Sequence, residues 1–370
     1  MEGIATYFSG FSDIAAKEIE NITGQKAKEK TGALVFPVNS LQELATLAYK
    51  GQSLHKVMLL LEVIEYEEEE SLENLKADVS SWVNEKTFRV NCIHDETAEV
   101  SGMEIAAKAG EVIVNKTGAK ASMKNPDVIF VIYIYNSVAY LCVDFSGFDL
   151  SKRDYKIYNH PSALNGAIGY CFIKTTGWEP GMSIMDPMCG SGIIPIEAAF
   201  EYTGKSPRHF QKDRFAFTKF LDFDFEKTDK EAKENKKSEN KIYCSDQLLA
   251  SLRATKNNAK IAEVDRIISP TKCDLEWLET KFDEKSIDVI ATHPPSVAKH
   301  SNVKELKKVY NELFYQAEYI LKDDGVIGVI SNTEKEIVEA AQNNKFSLKE
   351  KRQVWQRRHE FNVMIFNKNS

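Results

Sequence analysis

The run Asp186-Pro187-Met188-Cys189-Gly190-Ser191-Gly192 lies between apolar Ile184-Met185 and the segment Ile193-Ile194-Pro195-Ile196-Glu197-Ala198-Ala199-Phe200. These are the residue types of a ligand-binding turn from strand to helix. Gly190 and Gly192 allow a tight turn and a close approach to a ligand, because no Cβ intervenes. Pro195 falls in the first helical turn, where its missing N–H costs little. The N–H groups at that helix start suit a carboxylate or a phosphate. Dinucleotide sites use a similar turn, but Pro195 stands where their fingerprint needs a third glycine, and no Gly-Lys-Ser/Thr follows.

Asp186 ends the strand with a carboxylate, which fits a ligand carrying a positive centre. S-adenosylmethionine has two, an ammonium and a sulfonium. Asp246 in Ile242-Tyr-Cys-Ser-Asp246 and Asp274 in Thr271-Lys-Cys-Asp274 end the next strand candidates. Ligands gather at such carboxyl ends in an open α/β sheet. Asp246 could accept from ribose hydroxyls and Asp274 from an adenine amino group; either could equally be a helix N-cap. A fourth strand candidate runs into His293-Pro294-Pro295-Ser296. Two prolines stop pairing and fix a rigid loop that exposes the acceptors just before them. Rigid acceptors beside a methyl donor can orient an exocyclic amine for attack.

These segments need a scaffold, and the pattern from Pro161 onward supplies one. Strand candidates at 183–186, 241–246, 266–274, 287–292 and 326–331 alternate with helical stretches, the signature of a parallel, doubly wound sheet. The runs 346–355 and 361–366 read as an antiparallel hairpin on its edge. The first sixty-odd residues alternate strands (4–8, 33–36, 57–64) with helices (11–22, 41–48), as in a ferredoxin-like fold. Then come an amphipathic helix at 72–83, a strand at 88–93, a helix at 103–114 and a hairpin of 128–135 and 138–144 turning at Asn136-Ser137. The carboxylate run from Glu62 to Glu73 and the mixed-charge stretch from Glu226 to Lys241 read as solvated segments.

The whole chain has 370 residues with a formal net charge of -7, from 48 Lys+Arg against 55 Asp+Glu. That length favours two or three domains. The charge argues against a protein that coats polyanions over its whole surface, so a nucleic-acid site would be a local patch. Lys152, Arg153 and Lys156 form one candidate patch; Arg352, Arg357 and Arg358 form a smaller cluster that edge-strand solubility explains as well. The six cysteines show no CxxC pair or zinc spacing. His94, His160 and His359 have no ligand spacing, and Lys299 and His300 read as loop residues. No basic segment leads into a long apolar run, and the longest apolar stretch, 128–135, is far below the ~20 residues that span a bilayer. The expectation is a cytosolic protein.

The segments GFSDIAAKEIENITG, KASMKNPDVIFVIYIYNSVAYLCVDFSGFDLSKRDYKIY, YNHPSALNGAIGYCFI and DPMCGSGIIPIEAA together resemble the THUMP-domain methyltransferases that act on guanine N2 in RNA. The resemblance spans nearly the whole chain. It implies a Rossmann-like methyltransferase domain with a mixed seven-stranded sheet, preceded by ferredoxin-like and THUMP α+β domains. The implied division is 1–64 (ferredoxin-like), 65–150 (THUMP), 151–180 (linker and entry helix) and 181–370 (methyltransferase). It implies S-adenosylmethionine at Asp186, Pro187, Cys189, Gly190, Ser191 and Gly192, with Asp246 on the ribose and Asp274 on the adenine. It implies tRNA or another structured RNA as partner, and catalysis at His293, Pro294, Pro295 and Ser296; a monomer is the default expectation, which the resemblance leaves open.

The last assignment departs from the family pattern, usually Asn or Asp, Pro, Pro and an aromatic residue. His293 accepts through a ring nitrogen only when neutral. Ser296 offers no stacking face, where base stacking is worth ~1–3 kcal/mol. Two readings follow: an RNA guanine-N2 methyltransferase, or an RNA-binding protein that keeps the fold and no longer transfers methyl groups.

Overall fold

The structure, a computed structural model, describes residues 1–94, 101–158, 163–233, 241–296, 302–356 and 359–369. His160, Pro161, Lys299, His300, Arg357 and Arg358 lie outside the described residues. The chain forms two compact units, Met1–Tyr7, Ala15–Leu150 and Arg208–Thr228 in one, Phe8–Ile14, Ser151–Pro207 and Asp229–Ser370 in the other.

Up to residue 150 the elements are β1 (Glu2–Tyr7), α1 (Ser12–Thr23), β2 (Lys28–Lys30), β3 (Ala33–Pro37), α2 (Leu41–Lys50), β4 (Leu54–Glu65), α3 (Ser80–Val83), β5 (Thr87–His94), α4 (Gly102–Thr117), β6 (Lys120–Ala121), β7 (Val128–Tyr135) and β8 (Val138–Asp144). The strands form one eight-stranded sheet in the order β2-β3-β1-β4-β8-β7-β5-β6. Antiparallel pairing of β4 with β8 therefore joins the two expected α+β layers in a single sheet. The β7–β8 hairpin turns where expected, with Asn136 at φ +54°, a backbone region that asparagine tolerates. Arg208–Thr228 lies inside the expected catalytic stretch but groups with this first unit. Its Phe215 and Phe217 are buried in the same core as Tyr49 and Phe145.

The helix expected over 72–83 is not continuous. A 3-10 turn covers Glu69–Asn74, and only the short α3 follows. Leu72, Leu75, Val79 and Val83 are buried, as an amphipathic helix would have them. The backbone between is claimed from outside: Glu62 Oε2 accepts from Lys76 N and Ala77 N, both at 2.7 Å. Lys116 Nζ donates to the Leu75 carbonyl. Backbone groups satisfied in this way have no need of helical partners. Glu62, read as part of a solvated run, thus has a structural task.

The second unit contains α5 (Gly166–Thr175), β9 (Ile184–Asp186), α6 (Ile193–Thr203), β10 (Ile242–Asp246), α8 (Leu249–Ile261), β11 (Ile268–Lys272), β12 (Ile287–Thr292), α9 (Val303–Ile320), β13 (Leu321–Ser331), α10 (Glu334–Asn343), β14 (Phe346–Gln356) and β15 (His359–Lys368); α7 (Phe225–Lys233) crosses between the two groupings. The sheet order is β11-β10-β9-β12-β13-β15-β14. Pairing is parallel from β11 to β13, and β15 is antiparallel to both neighbours. This is the expected mixed seven-stranded sheet. β9 pairs with β10 on one side and β12 on the other, so strand order reverses there and opens the crevice where α/β sheets bind ligands.

Candidate active site

The turn after β9 is built as its glycines require. Gly190 has φ +53° and Gly192 φ +84°. A Cβ on Gly192 would meet Thr255 Cγ2 at 2.7 Å, so side chains are excluded there by space as well as by conformation. The loop is held from the neighbouring strand and helix. Cys189 N donates to Ser245 O at 3.0 Å, and Gly190 N donates to Asp246 Oδ2 at 3.0 Å. Thr255 Oγ1 donates to Gly190 O and Asn258 Nδ2 to Ser191 O, each at 2.9 Å. Thr255 and Asn258, buried and one turn apart on α8, were missed by sequence reasoning. Their signal was faint: two polar residues at i and i+3 on a helix whose buried face is otherwise mostly apolar.

Asp186 is 3 % exposed at the end of β9. Its Oδ1 accepts from Thr292 Oγ1 at 2.8 Å and from Met188 N at 3.2 Å. Burial pushes this carboxyl up to about 7, against the two hydrogen bonds, and the Asp246 charge adds to the rise. Thr292, fully buried as the last residue of β12, bridges the two strands that bracket the crevice; sequence reasoning missed it too. Cys189 is buried, and its thiol is pushed well up, first by a hydrogen bond with Cys244 and then by burial. It stays protonated and is no nucleophile.

Ser191 is 2 % exposed, lines the cavity, and its Oγ has no hydrogen-bond partner among the described residues. An orphaned hydroxyl of this kind calls for a ligand acceptor or donor. Asp246 is buried, with Oδ1 accepting from Leu248 N at 2.8 Å, which leaves lone pairs on both oxygens. Asp274 is exposed at the start of the 3-10 helix Leu275–Thr280 and makes no side-chain cap bond.

A cavity of about 810 Å³ gathers these groups, within the ~300–1,000 Å³ of small-molecule sites. Of the expected residues, Asp186, Pro187, Cys189, Gly190, Ser191, Asp246, Asp274, His293 and Pro295 line it. Gly192, Pro294 and Ser296 are not among the lining residues. The His293 ring meets Phe361 edge to face, with centroids 5.6 Å apart. Ser296 Oγ lies 3.1 Å from Ser331 Oγ. The donor set, the glycine approach and the orphaned Ser191 hydroxyl together fit S-adenosylmethionine.

A family model described as "RMKL-like, methyltransferase domain" matches residues 153–364, and a THUMP domain model matches 69–144. The chain belongs to the RMKL-like methyltransferase family. The resemblance read from the sequence, and the methyltransferase fold with its THUMP domain, are borne out. The chain is 28 % identical over 388 residues to the tRNA (guanine(6)-N2)-methyltransferase of Methanocaldococcus jannaschii, covering 99 % of this chain and 97 % of that protein. It is 26 % identical over 352 residues to the enzyme of the same name from Archaeoglobus fulgidus, covering 91 % and 85 %. Among solved structures, SMU.472 complexed with SAH superimposes with a TM-score of 0.82 at 18 % identity, over 100 % of this chain and 98 % of that one.

The proposed RNA patch is corrected at Arg153. Its guanidinium is buried, with Nε donating to Glu197 Oε1 at 2.8 Å and Nη2 to Glu197 Oε2 at 2.9 Å. Tyr155 OH donates to the same carboxylate at 2.8 Å. A bidentate, desolvated pair is a structural tie between the exit segment and α6, out of reach of RNA. Lys156 is half-buried and donates to the Leu164 carbonyl at 2.7 Å. Lys152 alone of the three is exposed. Arg352 is ion-paired with Asp13 at 2.8 Å and also with Glu350. No helix among the described residues is long and apolar enough to cross a membrane.

Proposed function

We propose that this chain is an S-adenosylmethionine-dependent tRNA methyltransferase that forms N2-methylguanosine, at the position for which the Methanocaldococcus jannaschii and Archaeoglobus fulgidus enzymes are named. The observation that carries the proposal is the convergence of Asp186, Gly190, Ser191, Asp246 and Asp274 with His293 and Pro295 of the proline loop on one cavity at the sheet's reversal point. Asp186 would face the positive end of the cofactor, Ser191 and the loop backbone its carboxylate, Asp246 the ribose and Asp274 the adenine. The cofactor, when bound, supplies an electrophilic methyl group on a cationic sulfur.

What the chain must add is positioning. His293, held by the Phe361 edge, and the Pro294 carbonyl would accept the two hydrogens of guanine N2 and aim its lone pair. The amine so held would take the methyl group that the cationic sulfur gives up, and its proton would leave to water. The THUMP domain, matched over 69–144, with Lys152 beside its exit, would grip folded tRNA. We further propose a cytoplasmic monomer divided functionally at 64, 150 and 180, with 208–228 as an insertion into the catalytic stretch.

The test combines calorimetric titration of S-adenosylmethionine with tritiated methyl transfer to a transcribed tRNA, carrying guanosine or inosine at the target. Transfer to guanosine and none to inosine, which lacks the 2-amino group, is the expected result. Cofactor binding without any transfer overturns the proposal and favours the RNA-binding reading.

A further inference from the structure

A loop containing Pro294-Pro295 has a mechanical problem. Neither proline has an N–H, so the loop cannot be tied down by its own backbone donors at those positions. It has to be held through its carbonyls and side chains. Two buried hydroxyls from different elements do this. Tyr310, fully buried on α9, donates its OH to the Pro295 carbonyl at 2.6 Å. Ser331, fully buried at the end of β13, pairs its Oγ with Ser296 Oγ at 3.1 Å. Ser331 is itself fixed, because Thr333 N donates to its Oγ at 3.1 Å.

From these contacts we infer that Tyr310 and Ser331 are positioning residues that clamp the His293–Ser296 loop for methyl transfer. The inference rests on the function proposed above. It also gives the unusual Ser296 a role: a side chain tied to β13 replaces one that would stack on a base. Burial pushes the Tyr310 phenol up, so it remains a donor across the working pH range.

The variants Tyr310→Phe and Ser331→Ala each remove one hydroxyl and keep the packed side chain or a smaller one. On the full chain we expect kcat for tRNA methylation to fall about tenfold or more in each, since small misplacements of reacting groups are costly. The Kd for S-adenosylmethionine and the thermal midpoint should stay close to wild type. Amide hydrogen exchange in a peptide covering 287–296 should accelerate in both variants, with no dependence on activity. Unchanged exchange overturns the clamp whatever the activity. Accelerated exchange with unchanged kcat overturns the positioning role, as does a joint loss of cofactor affinity and thermal midpoint in both variants. A wild-type chain that binds cofactor and transfers nothing refutes the proposed function instead, and exchange then decides the clamp alone.

Discussion

Asp186 offers the sharpest quantitative test. Its carboxyl is raised from 3.8 to about 7 in the folded chain, so the folded state holds the proton more tightly than the unfolded state. The stability linked to that proton is complete below the unfolded value and is lost as pH rises through about 7. The full difference, about 3 pKa units, corresponds to about 4 kcal/mol at ~1.36 kcal/mol per unit. Between about pH 5.5 and about pH 8.5 the linkage relation leaves a loss of about 2 kcal/mol from this group. Asp186→Asn keeps an oxygen to accept from Thr292 and Met188 and removes the titration. Urea unfolding followed by tryptophan fluorescence, at both pH values and without ligand, should show wild type losing about 2 kcal/mol more than the variant on going to alkaline pH. Taking the difference between the two proteins cancels other titrating groups. A cationic ligand reverses the preference by favouring the ionised carboxylate, so cofactor affinity in wild type should rise with pH up to about 7, and in Asp186→Asn it should be weak and flat. Parallel stability profiles for the two proteins would refute the reasoning, because Asp186 would then ionise in the fold without penalty.

Ser191→Ala should stabilise the ligand-free chain by about 1 kcal/mol, since its buried hydroxyl has no partner among the described residues, while weakening cofactor binding about tenfold; thermal melts and calorimetry read the two effects. Arg153→Met should lower stability by about 3 kcal/mol or more by stranding the Glu197 carboxylate. If it instead lowers tRNA affinity with stability intact, Arg153 is an RNA contact after all. His293→Asn should retain methyl transfer, because an amide oxygen can accept an amine hydrogen as a neutral ring nitrogen does, whereas His293→Ala should lose at least about tenfold in kcat with cofactor affinity unchanged. Full transfer by His293→Ala would refute the acceptor role in kinetic assays at saturating cofactor.

Most of the second unit was legible because each of its signals is local. Strand ends marked by Asp186, Asp246 and Thr292, the glycine turn and the double proline all depend on residues adjacent in sequence. Legibility failed where distant groups competed for the same backbone. The apolar spacing of Leu72, Leu75, Val79 and Val83 reads as a helix, and only Glu62 and Lys116 reaching in from other elements undo it. Arg153 failed for a related reason: a basic residue in a polar stretch looks exposed until its Glu197 partner, far along the chain, is brought beside it.

The sequence by itself determined the turn that can admit a ligand, the order of the strands' acidic ends and the membership in a methyltransferase family, because backbone conformation and side-chain chemistry travel with the residues. Tertiary structure decided which of those groups share a cavity, that the Ser191 hydroxyl has no partner among the described residues while Arg153 is fully engaged, that Asp186 holds its proton near neutrality, and that the proline loop is tied by Tyr310 and Ser331. Burial and pairing are properties of a neighbourhood, and a neighbourhood exists only once the chain has closed on itself.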